Sequence, residues 1–409
     1  MTVSTSSSST ARTPAPPNNS KVLATTVGGM ALDCCVYNAS GPRTGAAQAL
    51  AKIASSSSGA VLAKSATLKS QTGNPTPRIW HHDDGMCDMN SEGLPNSGIE
   101  YYIAKETIDT TLGDRSSTNT KPYFVSISGK TLADNVHMFE KIVATIQSGE
   151  TRIASVELNL ACPNIIGKPI IAYDFEQLRD ILETLSTKDY HTYFTLGVKL
   201  PPYLDGSQLQ MAAAILNDYT TLVKYVVCIN TLGNALAVDV VSDMTSIRAN
   251  QGFAGLSGPA IKYTALSNVR QMRSALKREI DVVGVGGIAS GQDVLEFLLC
   301  GATAVQVGTC HWKEGPTCFN RITDELEVLL KAKGYATVHD CIGQLQPWSK
   351  DGAAKARLAK KEQQQLKSGS ASTTTTSSSM PLHRNILELV LVLVIAILLA
   401  DKFQWTDRW

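Results

Sequence analysis

A chain of 409 residues, 43% hydrophobic and 18% charged, has the apolar material for one large core. Its formal net charge of +1 sets up no global field that would gather nucleic acid or an acidic partner. Nine cysteines include no CxxC pair and no Cys/His cluster at zinc-ligand spacing, so neither a metal site nor a disulfide framework is expected, and the thiols read as mostly buried and free in a reducing compartment.

Residues 1–21 are mostly Ser, Thr, Pro and Asn. They hold no apolar run of the kind a secretory signal needs, and Arg12, the one base in residues 1–20, is too little for a transit peptide, so a disordered tail is expected.

Residues 22–358 form the expected folded body, built on a repeated unit. A short β-branched run ends in Gly, Asn, Lys, Ser or Thr, and a helical stretch follows. The first three runs end at Asn38-Ala39-Ser40-Gly41, Ala63-Lys64-Ser65 and Ser126-Ile127-Ser128-Gly129. The next three end at Asn159-Leu160-Ala161-Cys162, Val198-Lys199-Leu200 and Ile229-Asn230-Thr231, and the last two at Val285-Gly286-Gly287 and Val307-Gly308-Thr309. Helical patterns lie between them, among them 132–147, 174–185, 209–216 and 292–299. Alternating strands and helices imply right-handed βαβ units and a parallel sheet, and eight such units close a (β/α)8 TIM barrel of the α/β class. An open doubly wound sheet is the alternative, but it would have fewer strands and gather its polar ends at one switch point. In a barrel the C-terminal strand ends carry the chemistry.

A Lys/Gln run and a Ser/Thr stretch make 359–385 a flexible linker by composition. Residues 386–400 are apolar except for Glu388, with Trp405 and Trp409 in the short tail 401–409. Fifteen helical residues reach roughly 22 Å, short of a bilayer core of about 30 Å unless flanking groups snorkel. The segment is hydrophobic all round and lies beyond a linker. A C-terminal transmembrane anchor is therefore expected, tethering a cytoplasmic catalytic domain to an intracellular membrane; a partner-binding or self-associating helix is the alternative.

The strand ends suggest their own chemistry. Glycines at Gly286, Gly287 and Gly308, with Thr309, stand where barrels commonly hold phosphate. Lys199, inside an apolar run, is costly to bury unless it meets an anion, and Lys64 invites the same reading. Proline at 163 takes the chain out of the sheet just after Cys162, which lifts a thiol into a loop above the barrel mouth. A thiol acts as a base once its pKa falls toward neutrality, although a lone cysteine is more often a buried hydrophobe. The amides of Asn90, Asn96, Asn159, Asn164 and Asn230 suit a planar heterocycle with alternating C=O and N–H groups.

These stretches, together with Gly73-Asn74-Pro75, Gly93-Leu94-Pro95-Asn96, Glu157-Leu158-Asn159-Leu160 and Cys162-Pro163-Asn164, resemble the class 1A dihydroorotate dehydrogenases over residues 32–343. The resemblance implies an FMN-dependent, homodimeric oxidoreductase of pyrimidine biosynthesis that oxidises dihydroorotate to orotate and passes electrons to fumarate. It makes Cys162 the base at C5 while hydride leaves C6 for the flavin. It places Lys64, Asn90, Gly93, Leu94, Asn159, Asn164, Asn230 and Thr231 around the substrate. It gives FMN to Ala39, Ser40, Lys64, Ser65, Asn159, Lys199, Ile229, Gly258, Gly286, Gly287, Gly308 and Thr309. The chain departs from the family pattern at Ala161, where serine is usual, at Glu92, where an apolar residue is frequent, and at Thr231 and Ala235. The apolar C-terminal segment is also foreign to it, and motivates two other readings: a quinone-linked enzyme and a non-catalytic, membrane-bound FMN scaffold.

Overall fold

The computed structural model describes residues 21–161 and 170–369. The eight expected runs lie side by side as parallel strands: β1 (Val36–Asn38), β2 (Val61–Leu62), β3 (Tyr123–Ile127), β4 (Ile153–Asn159), β5 (Thr195–Leu200), β6 (Val223–Cys228), β7 (Asp281–Val285) and β8 (Ala304–Val307). Spatial order follows chain order, with β8 pairing back onto β1. The strands are buried along nearly their whole length, as expected where side chains fill the barrel inside and helices cover it outside. The expectation of a (β/α)8 barrel is met, and the open-sheet alternative is not.

Closure between β1 and β2 depends on one side chain. Gly59 N–H donates to Val36 O (2.8 Å), and beyond that point the Asn38 amide takes the place of a strand. Its Nδ2 donates to Leu62 O at 2.6 Å, and its Oδ1 accepts from Leu62 N at 2.9 Å. On β5, Gly197 has to be glycine, because a Cβ there would sit 2.1 Å from the buried ring of Tyr225 on β6.

The outer helices begin where the chain offers an oxygen to their free N–H groups. Thr131, Asp174, Asp205 and Ser290 cap the helices Leu132–Gln147, Phe175–Ser186, Gly206–Asn217 and Gly291–Leu299. A hairpin, Thr25–Val27 with Met30–Leu32, closes the N-terminal end of the barrel: its turn donates Gly28 N–H to Asp281 at the start of β7 (2.8 Å). At the opposite end, excursions after β2 and β6 build an antiparallel sheet in the order Leu232–Ala235, Ala254–Ser257, Asp88–Asn90, Ile79–His81. It has a small core of its own, made by Met89, Ile247, Ala249 and Ala254.

Two compact units divide between Gln344 and Leu345. In the second, Lys350–Gly369 is a helix of Ala, Lys and Gln, good helix formers, and it overlaps the first part of the segment read as a linker. Among the described residues no helix is long and apolar enough to cross a membrane; 386–400, on which the expected anchor falls, lies outside them, as does the tail 1–20.

Asn38→Ala should strip two main-chain groups of Leu62 of their partners inside the core. The expected loss is about 2–4 kcal/mol, read as a lower thermal unfolding midpoint. An unchanged midpoint would mean that the barrel closes without the Asn38 amide.

Candidate active site

Side chains from five strand ends meet at the barrel mouth. Ser65, after β2, is the hub: its hydroxyl lies 3.2 Å from Ser40 Oγ, 2.8 Å from Ser126 Oγ, and 3.2 Å from Asn159 Nδ2, which donates to it. The main-chain N–H of Ser65 also donates to Ser40 Oγ, at 2.7 Å. Asn159, the last residue of β4, accepts from Asn230 Nδ2 (3.2 Å) and from Ala161 N (3.1 Å) through Oδ1. Asn230 in turn accepts from Thr231 N (2.8 Å), and the buried Thr231 Oγ1 has no hydrogen-bond partner among the described residues. Ser40, Ser65, Asn159, Asn230 and Thr231 thus form one connected polar surface, with an unused hydroxyl at its end.

The two lysines are buried, and each faces an acid. Lys64 Nζ lies 3.0 Å from Glu92 Oε2, with both side chains about nine-tenths enclosed. Lys199 Nζ lies 3.9 Å from Oε1 of Glu157, which is fully buried inside the barrel. Glu157 Oε2 accepts from Gln306 Nε2 on β8 at 2.6 Å, and Gln306 also reaches the hydroxyl of Tyr37. Burial pushes the Glu157 carboxyl above the usual carboxylate range, against the pull of Lys199 and of the Gln306 amide. Burial, reinforced by the nearby Glu157 charge, likewise raises the phenol of Tyr37.

The glycines expected to hold phosphate gather on the other side of the mouth. Gly258, Gly286 and Gly287 all have positive φ, at 86°, 136° and 71°. A Cβ on Gly287 would lie 2.9 Å from Gly258 O, and one on Gly308 would lie 3.6 Å from the Ala39 methyl. Thr309 Oγ1 stands 3.2 Å from Ser257 Oγ, beside Gly258. Gly286 and Gly287 are thus needed for the protein to pack against itself at this corner, where the loop after β7 meets Gly258. The antiparallel sheet is tied to this corner by the fully buried Asp88, which lies 2.5 Å from His81 Nδ1 and 3.0 Å from Lys313 Nζ.

Asn90 ends a strand of that sheet, paired with Gly255 and Ile79, and Gly93 and the buried Leu94 follow with positive φ. Ile229 is buried beyond β6 and donates its N–H to Val285 O at 2.9 Å. Cys162 and Asn164 fall in 162–169, outside the described residues. Sequence reasoning gave no role to Ser126, Glu157 or Gln306. A polar residue at an inward position of an otherwise apolar strand, as in Ala304-Val305-Gln306-Val307, was the available signal for the last two.

The family model described as Dihydroorotate dehydrogenase matches residues 22–330. Dihydroorotate dehydrogenase A (fumarate) of Lactococcus lactis subsp. cremoris (strain MG1363) is 42% identical over 312 residues, 76% of this chain and 94% of that protein. The protein of the same name from Lactococcus lactis subsp. lactis (strain IL1403) matches to the same extent. The crystal structure of a ligand-free DHODH from Eimeria tenella superposes with a TM-score of 0.66 at 21% identity, covering 82% of this chain and 95% of that one, and bears on the fold alone.

Because Glu157 is harder to ionise folded than unfolded, its ionisation opposes folding. The loss sets in as pH rises above the ordinary carboxylate value and is complete above the raised folded one. Glu157→Gln cannot ionise, so its stability relative to the unsubstituted protein should improve as pH rises above the ordinary carboxylate value, until Glu157 is fully ionised in the folded protein. Thermal unfolding at matched ionic strength checks this; a difference that does not vary with pH would mean the carboxyl is not raised.

Proposed function

The chain belongs to the dihydroorotate dehydrogenase family, and from that membership we infer that it oxidises dihydroorotate to orotate in pyrimidine biosynthesis, with fumarate as electron acceptor. The observation that carries the site assignment is the joining of Lys64, Ser65, Asn159 and Asn230 at one barrel mouth, beside a cradle of bare glycine backbone.

The family's chemistry is flavin-dependent, and FMN is the flavin we assign. Three features support that choice. Gly258, Gly286, Gly287, Gly308 and Thr309 crowd main chain into a corner suited to a single phosphate. Lys199 supplies a buried cation for the electron-rich edge of a ring. Ala39, Ser40, Ser65 and Ile229 are assigned to the flavin with them, the Ala39 methyl lying against Gly308. When bound, FMN supplies the hydride acceptor.

The protein's own residues do the remainder. Asn159 and Asn230 present amides to the C=O and N–H groups of the pyrimidine, with Asn90, Asn164, Thr231 and the backbone of Gly93 and Leu94 completing the cradle. Lys64 provides positive charge for the substrate carboxylate. Cys162 is assigned as the base whose Sγ takes the C5 proton. By accepting from Ala161 N, the Asn159 side chain holds the residue that precedes that cysteine in sequence.

A homodimer and a C-terminal membrane tether belong to the same proposal. The exposed apolar side chains Val238, Val240, Val241 and Met244 on one excursion of the body support the first, and the hydropathy of 386–400 supports the second. Eight free thiols among the described residues suit a cytoplasmic setting for the catalytic body.

Anaerobic stopped-flow mixing with dihydroorotate should bleach the flavin of the unsubstituted enzyme, and fumarate should restore it. Cys162→Ala should retain flavin yet reduce it at least about a hundredfold more slowly. Unchanged reduction would remove the thiol as base, and failure of fumarate to reoxidise would remove it as acceptor.

A further inference from the structure

Dihydroorotate, orotate and fumarate all carry carboxylates, so the cations at the barrel mouth set how tightly each is held. Both buried lysines there already have an internal acid within ion-pair distance. Lys199 is faced by Glu157 from inside the barrel, at 3.9 Å. Lys64, on the substrate side, is faced more closely by Glu92, at 3.0 Å.

Glu92 is delivered to Lys64 by a braced segment. Asn74 N–H donates to Glu92 O (2.7 Å), Asn74 Nδ2 donates to Ser91 O (2.8 Å), and Ser91 N–H donates to Arg78 O (2.8 Å). The packing is tight enough that a Cβ on Gly93 would lie 2.4 Å from Asn74 Oδ1, and one on Gly73 would lie 2.4 Å from Glu92 O. Lys64 is fixed as firmly, its N–H bonded to Thr44 O at 2.9 Å and its neighbour Ser65 held by Ser40. The pair is enclosed, where Coulomb interactions are weakly screened.

We propose that Glu92 is a specificity-determining residue: an internal carboxylate on Lys64 that a ligand carboxylate must displace or lie beside. This deepens the functional reading above and rests on it. With the site empty, Lys64 and Glu92 neutralise one another. With an anionic ligand bound, two carboxylates share one ammonium. Glu92 therefore weakens the hold on every carboxylate that enters, product and acceptor included, and favours their exchange at one site. The ring-binding amides of Asn159 and Asn230 are not opposed by this charge, so the penalty falls on the carboxylate alone.

Calorimetric titration of flavin-loaded enzyme tests the idea with two ligands: orotate, and orotamide, which keeps the ring and replaces the carboxylate by a neutral amide. Glu92→Gln keeps the shape and removes the charge, and should bind orotate about tenfold or more tightly. Orotamide should gain less than about twofold, or stay below detection, in the same variant. Equal or weaker orotate binding would overturn the proposal, since it would mean that Glu92 serves to orient Lys64. An equal gain for both ligands would also overturn it, because a structural effect would not distinguish them. Glu92→Met carries the same expectation if the glutamine variant loses its flavin. If the unsubstituted, flavin-loaded enzyme neither binds orotate nor is reduced by dihydroorotate, the functional reading itself fails and this inference falls with it.

Discussion

Two ammonium groups are buried at one end of this barrel, and a buried charge is tolerated only where an opposite charge or a dense set of hydrogen bonds meets it. Lys64 and Lys199 are each met by a carboxylate, from Glu92 and Glu157, and the architecture of the mouth follows from holding those two pairs in place. Beneath Lys199 the barrel interior is polar in a single connected patch: Glu157 binds Gln306, and Gln306 reaches Tyr37. Next to that patch the interior is aromatic, with Tyr37 edge-on to Phe124 and Tyr225 filling the space that Gly197 leaves. Lys199 thus sits beside a well-packed interior.

The mouth divides its work between side chains and backbone. Toward β2, β4 and β6 the mouth presents Ser65, Asn159 and Asn230, whose amides and hydroxyls suit a flat ring with donors and acceptors along its edge. Toward β7 and β8 side chains give way to glycine, with positive φ at Gly286 and Gly287. The antiparallel sheet, fastened by Asp88 to His81 and Lys313, supplies Asn90, Gly93 and Leu94 on one side and Ser257 and Gly258 on the other. Segments widely spaced in sequence are therefore brought to one mouth, as closure of a barrel allows.

The barrel itself was legible because its strands are buried on both faces and read as unbroken apolar runs, each stopped by a polar or glycine residue. The helix Leu132–Gln147 falls where its period placed it, and Phe175–Ser186 differs from expectation by one residue at each end. The antiparallel sheet was not legible. Its strands are three or four residues long, too short to show a period of two, and the pairing of Asp88–Asn90 with Ala254–Ser257 joins segments far apart along the chain. Glu92 stood out as a departure from the family pattern, but its partner Lys64 is 28 residues away, and no local signal joins them. Glu157 was visible inside a recognised motif, while its role as counter-ion to Lys199 required the register of β4 against β5.

A crystal structure of the flavin-loaded protein with orotate bears most directly on this view of the mouth. The pyrimidine edge should rest on Asn159 and Asn230 with its carboxylate toward Lys64, and the flavin phosphate should lie among Gly258, Gly287, Gly308 and Thr309. Orotate bound away from the two asparagines, or a flavin whose phosphate lies off the loops after β7 and β8, would contradict it.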